Sequence, residues 1–132
     1  MKSKKPLYIV PVASTEFTQE AFLDCSGIRP TIRYSYQDEH GEVHSGIAFS
    51  AVSAIRCRSE ACCSVWHIED TYDALVEVEQ SSWEEEVRRD VPDQLKMGWK
   101  ARHFMIYLDS AGCFEFLAEA WEVLPEQSRQ SE

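Results

Sequence analysis

Thr31-Ile32-Arg33-Tyr34-Ser35-Tyr36-Gln37-Asp38-Glu39-His40-Gly41-Glu42-Val43-His44-Ser45-Gly46-Ile47-Ala48-Phe49-Ser50 is the stretch on which the fold turns. Ile32, Tyr34 and Tyr36 alternate with Thr31, Arg33 and Ser35, the period of two of a half-buried strand. Val43, Ser45, Ile47 and Phe49 resume that period. Between the runs, Asp38 to Gly41 supplies turn residues, with Gly41 free to take a positive φ. The two runs are predicted to pair as an antiparallel hairpin.

Working outward, the alternation continues through Ala51, Ser53, Ile55 and Cys57, as one long bent strand or two strands with a kink. Upstream, residues 7–12 read as a strand. Residues 15–24 read as a short helix capped by Ser14 or Thr15 and ended by Gly27. Downstream, residues 62–68 read as a strand, and residues 74–79 as a strand with one apolar and one mostly acidic face. Ser82-Trp83-Glu84-Glu85 has the capping-box pattern, predicting a helix to about Asp90, stopped by Pro92. Residues 93–101 read as a loop anchored by Trp99. Residues 104–108 and 113–117 form a second hairpin around Asp109-Ser110-Ala111-Gly112, and a last segment, 118–124, ends at Pro125. The expected class is α+β: a mostly antiparallel, strongly curved sheet or half-open barrel of about seven strands with one or two short helices. With 132 residues, one domain is expected over 1–132, with 1–6 and 126–132 as flexible tails.

The net charge is −10, from 13 Lys and Arg against 23 Asp and Glu. Such a chain repels polyanions, so no nucleic acid and no anionic membrane surface is expected as a partner. Three of four segments are nearly neutral. Residues 69–93 hold ten acids against Arg88 and Arg89, net −8. A charge-selected, basic protein partner is therefore expected to meet Glu69, Asp70, Asp73, Glu77, Glu79, Glu84, Glu85 and Glu86. The alternative role for these side chains is a solvated, solubilising face. Lys2, Lys4 and Lys5 precede an apolar run broken by Pro11, which reads better as a first strand than as a signal segment. Five cysteines, two adjacent, make a poor disulfide framework and point to reduced thiols and a cytoplasmic protein. Exposed edge strands leave a homodimer open.

Little in the sequence specifies chemistry. Cys57, Cys62, Cys63 and His67 gather soft ligands within eleven residues, yet lack the paired spacing zinc prefers. No metal and no cofactor is expected, and no catalytic residue is selected. Nucleophile-elbow, HExxH, P-loop and dinucleotide-binding patterns are missing from the chain. A curved sheet could instead hold an apolar ligand, with Tyr34, Tyr36, Trp66 and Tyr107 as its contacts.

Three stretches carry a resemblance. They are Gly46-Ile-Ala-Phe-Ser-Ala-Val-Ser-Ala-Ile-Arg56, Trp66-His-Ile-Glu-Asp-Thr-Tyr-Asp-Ala-Leu-Val-Glu-Val-Glu-Gln-Ser-Ser-Trp83 and His103-Phe-Met-Ile-Tyr-Leu-Asp-Ser-Ala-Gly-Cys-Phe-Glu-Phe-Leu-Ala118. Over residues 30–124 the chain resembles small uncharacterised bacterial proteins of similar length. That resemblance implies a bacterial cytosolic protein and no particular activity. In size and charge alone the chain is also similar to immunity proteins that neutralise basic bacterial toxins. The expected function is a non-enzymatic interaction module, an immunity-type inhibitor being one case. A small-molecule-binding sheet or barrel and a Cys/His metal or redox protein are the alternatives.

Overall fold

The structure, a computed structural model, describes residues 3–128. It is an α+β fold whose strands form two antiparallel sheets with few short helices. The first sheet has the order β1-β6-β7-β8-β5, built from Ser3–Ile9 (β1), Ala54–Arg58 (β5), Ala74–Glu79 (β6), Arg102–Leu108 (β7) and Gly112–Ala118 (β8). The second has the order β10-β4-β3-β2, from Phe22–Asp24 (β2), Thr31–Asp38 (β3), Gly41–Ser50 (β4) and Gln127–Ser128 (β10). Ala120–Val123 (β9) pairs with the far end of β4. Among the described residues three α-helices complete the fold: Val65–Ile68 (α1), Ser82–Arg89 (α2) and Asp93–Lys96 (α3). Among the described residues the strands close no barrel. None of the described helices is long and apolar enough to cross a membrane.

Both expected hairpins form. Thr31 to Asp38 pairs residue for residue with Ala48 to Gly41, and Gly41 turns with φ 121°. Arg102 to Leu108 pairs with Ala118 to Gly112, where Gly112 has φ 98°. The inward residues of the first hairpin, Ile32, Tyr34, Tyr36, Ile47 and Phe49, meet Phe104, Ile106, Phe114 and Phe116 of the second in one buried cluster between the sheets. Phe49 stacks on Phe116 with ring centroids 3.9 Å apart.

The first sheet is buried on its other face too. Val76, Val78, Met105, Tyr107 and Cys113 form a second cluster there, covered by Cys63, Trp66 and Ile68. Residues 74–79 form the expected strand: Val76 and Val78 of its apolar face are buried in this cluster, and on the mostly acidic face Leu75 lies in the main core, Glu77 is half-buried and Glu79 is exposed. Residues 62–68 are not a strand: a 3-10 turn at Glu60–Cys62 leads into α1, which lays Trp66 on the second cluster. Residues 15–24 are not a helix but a 3-10 turn at Ser14–Glu16 followed by β2. The run through Cys57 divides at Ala51, whose φ of 52° turns the chain from the second sheet into the first.

Parts of both expected tails lie in strands. Ser3 to Pro6 belong to β1 and pair with Glu79 to Val76. Lys4 donates its ammonium protons to the carbonyls of Trp66 and Glu69, and burial lowers its pKa. At the other end, Glu126 accepts from the Tyr36 hydroxyl and β10 pairs with β4. The tail expectations for residues 1–2 and 129–132 lie outside the described residues.

Candidate functional site

Register on the first sheet places one set of polar side chains on its outer face. Arg56 of β5 lies opposite Glu115 of β8, and His103 of β7 lies one step diagonal to it. Glu115 is 1% exposed, His103 4% and Ser81 6%. Arg56 donates twice to Glu115, Nε to Oε2 at 2.9 Å and Nη2 to Oε1 at 3.0 Å. Glu115 Oε1 also lies 2.7 Å from His103 Nε2, and His103 Nδ1 lies 2.7 Å from Ser81 Oγ. With Glu115 ionised, Nε2 carries the proton it shares with the carboxylate; in the singly protonated ring Nδ1 is then the acceptor facing the Ser81 hydroxyl. Ser81 Oγ in turn accepts the Glu84 backbone N–H at 3.0 Å, which caps α2. Trp83 closes the outside: its ring meets His103 edge-on at 5.1 Å and lies 4.1 Å beneath the Arg56 guanidinium.

A buried carboxylate without partners would be protonated. Burial pushes the Glu115 pKa up, but the hydrogen bonds from His103 and Arg56 outweigh it and hold the carboxyl at about 2. The network is thus an ionised relay from Arg56 to the start of α2.

Beside it opens a cleft of about 280 Å³ lined by Glu77, Glu79, Glu84, Glu85, Ser81 and His103, with Arg102 as its one cation. Arg102 pairs with Glu77 at 3.2 Å and Arg88 with Glu84 at 3.0 Å, and Trp99 Nε1 donates to Glu84 at 2.6 Å. Glu79 and Glu85 keep no cationic partner within 4 Å among the described residues.

Of the residues expected to meet a basic partner, the cleft gathers Glu77, Glu79, Glu84 and Glu85. Glu86 is exposed on α2. Glu69 and Asp70 follow α1, where the Glu69 carbonyl accepts from the Lys4 ammonium, and do not line the cleft. Asp73 is bound by the Ser14 hydroxyl and backbone N–H, so it is a structural turn residue. The four aromatic ligand contacts are not brought together. Tyr34 and Tyr36 point into the main core, while Trp66 and Tyr107 belong to the opposite cluster. Nor do Cys57, Cys62, Cys63 and His67 converge: no three metal-ligating side chains among the described residues form a group. His67 Nδ1 is taken by the Ser64 backbone N–H at 3.0 Å. Burial raises the Cys63 and Cys113 thiols, which leaves little thiolate near neutral pH.

Ser81, His103, Arg56 and Glu115 were not legible as a set, because they come from four separate elements. One signal was present. In Cys113-Phe114-Glu115-Phe116-Leu117 a single carboxylate interrupts an apolar strand, and such a group needs charged or polar partners. Compared with known proteins, the chain matches no family model, no curated protein and no solved structure.

Proposed function

We propose that the protein is an acidic interaction module that docks a basic protein, seating a lysine or arginine of the partner in the cleft between the β6–α2 connection and the start of β7. The supporting observation is the cleft itself, with Glu79 and Glu85 uncompensated on its walls. Exposed ion pairs contribute only about 0.2–1 kcal/mol each. Charge here would therefore select and steer the partner, with most of the affinity coming from other contacts. Neutralisation of a basic bacterial toxin by an immunity-type inhibitor is the concrete case this chemistry fits.

A deca-lysine peptide titrated against the isotope-labelled protein tests the reading. Amide shifts are expected to centre on residues 79–85 and 101–103, and to vanish in the Glu79→Lys/Glu85→Lys variant. Shifts that survive the double reversal, or that centre on Glu69 and Asp70, would overturn it.

A second reading treats the curved sheets as a half-open barrel holding a small molecule. A cleft of about 430 Å³ on the second sheet supports it, lined by Phe22, Arg33, Tyr34, Ser35, His44 and Gln127 among others. Of the four expected ligand contacts it includes only Tyr34.

A further inference from the structure

We propose that Ser81, His103 and Glu115 form an acyl-transfer site that hydrolyses small esters carrying a cationic group. Each part of the relay stands where that chemistry needs it. Ser81 Oγ lies 2.7 Å from His103 Nδ1, within reach for the ring to take its proton, and the opposite ring nitrogen is held at 2.7 Å by Glu115. A serine is a weak nucleophile until a base is poised to take its proton and a third group orients that base. Arg56 and Trp83 fix the carboxylate and the imidazole from outside, so the base is positioned before any substrate arrives. The chain enters this point through a strand–turn–helix, and Gln80, immediately before Ser81, has φ 56°. Both Ser81 and His103 line the cleft.

The step balances within the site. Ser81 Oγ forms a bond to the ester carbonyl carbon as its proton passes to His103 Nδ1. Collapse of the tetrahedral adduct breaks the carbon–oxygen bond to the alcohol, which leaves with that proton. Water then attacks the acyl-serine, giving a proton to His103, and the carboxylic acid departs as Ser81 Oγ recovers it. The backbone N–H groups of Ser82 and Trp83, in the first turn of α2, have no acceptor within the helix and suit the developing oxyanion. Ser81 and His103 are the catalytic residues, and Glu115 is a positioning residue.

The substrate class follows from the walls. Glu79 and Glu85 repel a carboxylate or phosphate and favour an ammonium group on the ester. This preference rests on the same acidic cleft as the docking reading, whereas the serine chemistry does not.

The full chain is treated with a fluorophosphonate, then assayed on a choline ester and on neutral p-nitrophenyl acetate. The expected results are phosphonylation at Ser81 by peptide mass, hydrolysis of both esters, and at least a tenfold higher kcat/KM for the choline ester. Ser81→Asn keeps an acceptor for the helix cap and removes the nucleophile, so its turnover should fall about 10²–10⁴-fold with folding intact. Glu115→Gln should lower kcat and leave KM unchanged. Folded wild-type protein that takes no label at Ser81 and turns over no faster than Ser81→Asn overturns the site. Ser81-dependent hydrolysis without preference for the choline ester overturns the cationic assignment alone.

Discussion

A carboxylate that stays ionised while 1% exposed stores stability that depends on pH. The Glu115 carboxyl titrates at about 2 in the fold, against 4.5 for the free group. Its contribution is complete above the unfolded value and is lost as pH falls through the folded one. That difference corresponds to about 3 kcal/mol, disappearing between roughly pH 5 and pH 2. Urea midpoints measured across this range should fall more steeply for wild type than for Glu115→Gln; parallel curves would reject the assignment. Removing the carboxylate altogether, as in Glu115→Ala, leaves the buried His103 Nε2 without its partner and should cost about 1–3 kcal/mol. Two glycines offer a second comparison at this scale. Both turn with positive φ, but a Cβ at Gly41 meets nothing within 4 Å, while one at Gly112 would lie 2.1 Å from the Arg58 carbonyl oxygen. Gly41→Ala should therefore cost about 1–2 kcal/mol, from backbone strain alone. Gly112→Ala should cost clearly more, because the end of β5 has to move; equal losses in chemical denaturation would contradict this.

At the scale of elements, α2 was read correctly in extent but not in its cap. The capping-box spacing names Ser82 with Glu85. In the fold Ser81 accepts the Glu84 N–H and Ser82 is exposed within the first turn. Ser81 wins because its hydroxyl also meets His103, a residue 22 positions away that no local pattern could supply. Ser81→Ala should lower stability by at least about 1 kcal/mol, and Ser82→Ala by less than about 0.5 kcal/mol, in thermal denaturation. A reversed ranking would restore the sequence-based cap. The same limit explains the misread segments. The two hairpins were legible because their period of two is long and their turn residues are explicit. Residues 62–68 carry a short apolar run that fits either a strand or a helix. Their structure follows from a tertiary need, to cover Val76, Val78 and Met105 on the outside of the first sheet. The alternation in 74–79 was legible: Val76 and Val78 are buried while Glu77 and Glu79 become progressively more exposed.

Over the whole molecule, folding redistributes the charge of residues 69–93 rather than displaying it as one field. Arg102 and Arg88 answer Glu77 and Glu84, Ser14 holds Asp73, and the ordered β1 brings Lys4 to the carbonyl of Glu69. Glu79 and Glu85 stand at the cleft beside the paired Glu77 and Glu84, while Glu86 is exposed on α2 and Glu69 and Asp70 lie outside the cleft. A field of that size acts over a short range, since the screening length is about 10 Å at 0.1 M salt and about 3 Å at 1 M. It should therefore speed the encounter with a basic partner more than it prolongs the complex. Stopped-flow mixing with the deca-lysine peptide should show an association rate that falls at least tenfold between 0.02 M and 0.5 M salt. The dissociation rate should change much less, and Glu79→Lys/Glu85→Lys should flatten the salt dependence. If salt acts mainly on dissociation, the carboxylates work as close contacts in the complex, and steering is not their role. If the double variant keeps the full salt dependence, the steering field lies elsewhere on the acidic surface of residues 69–93.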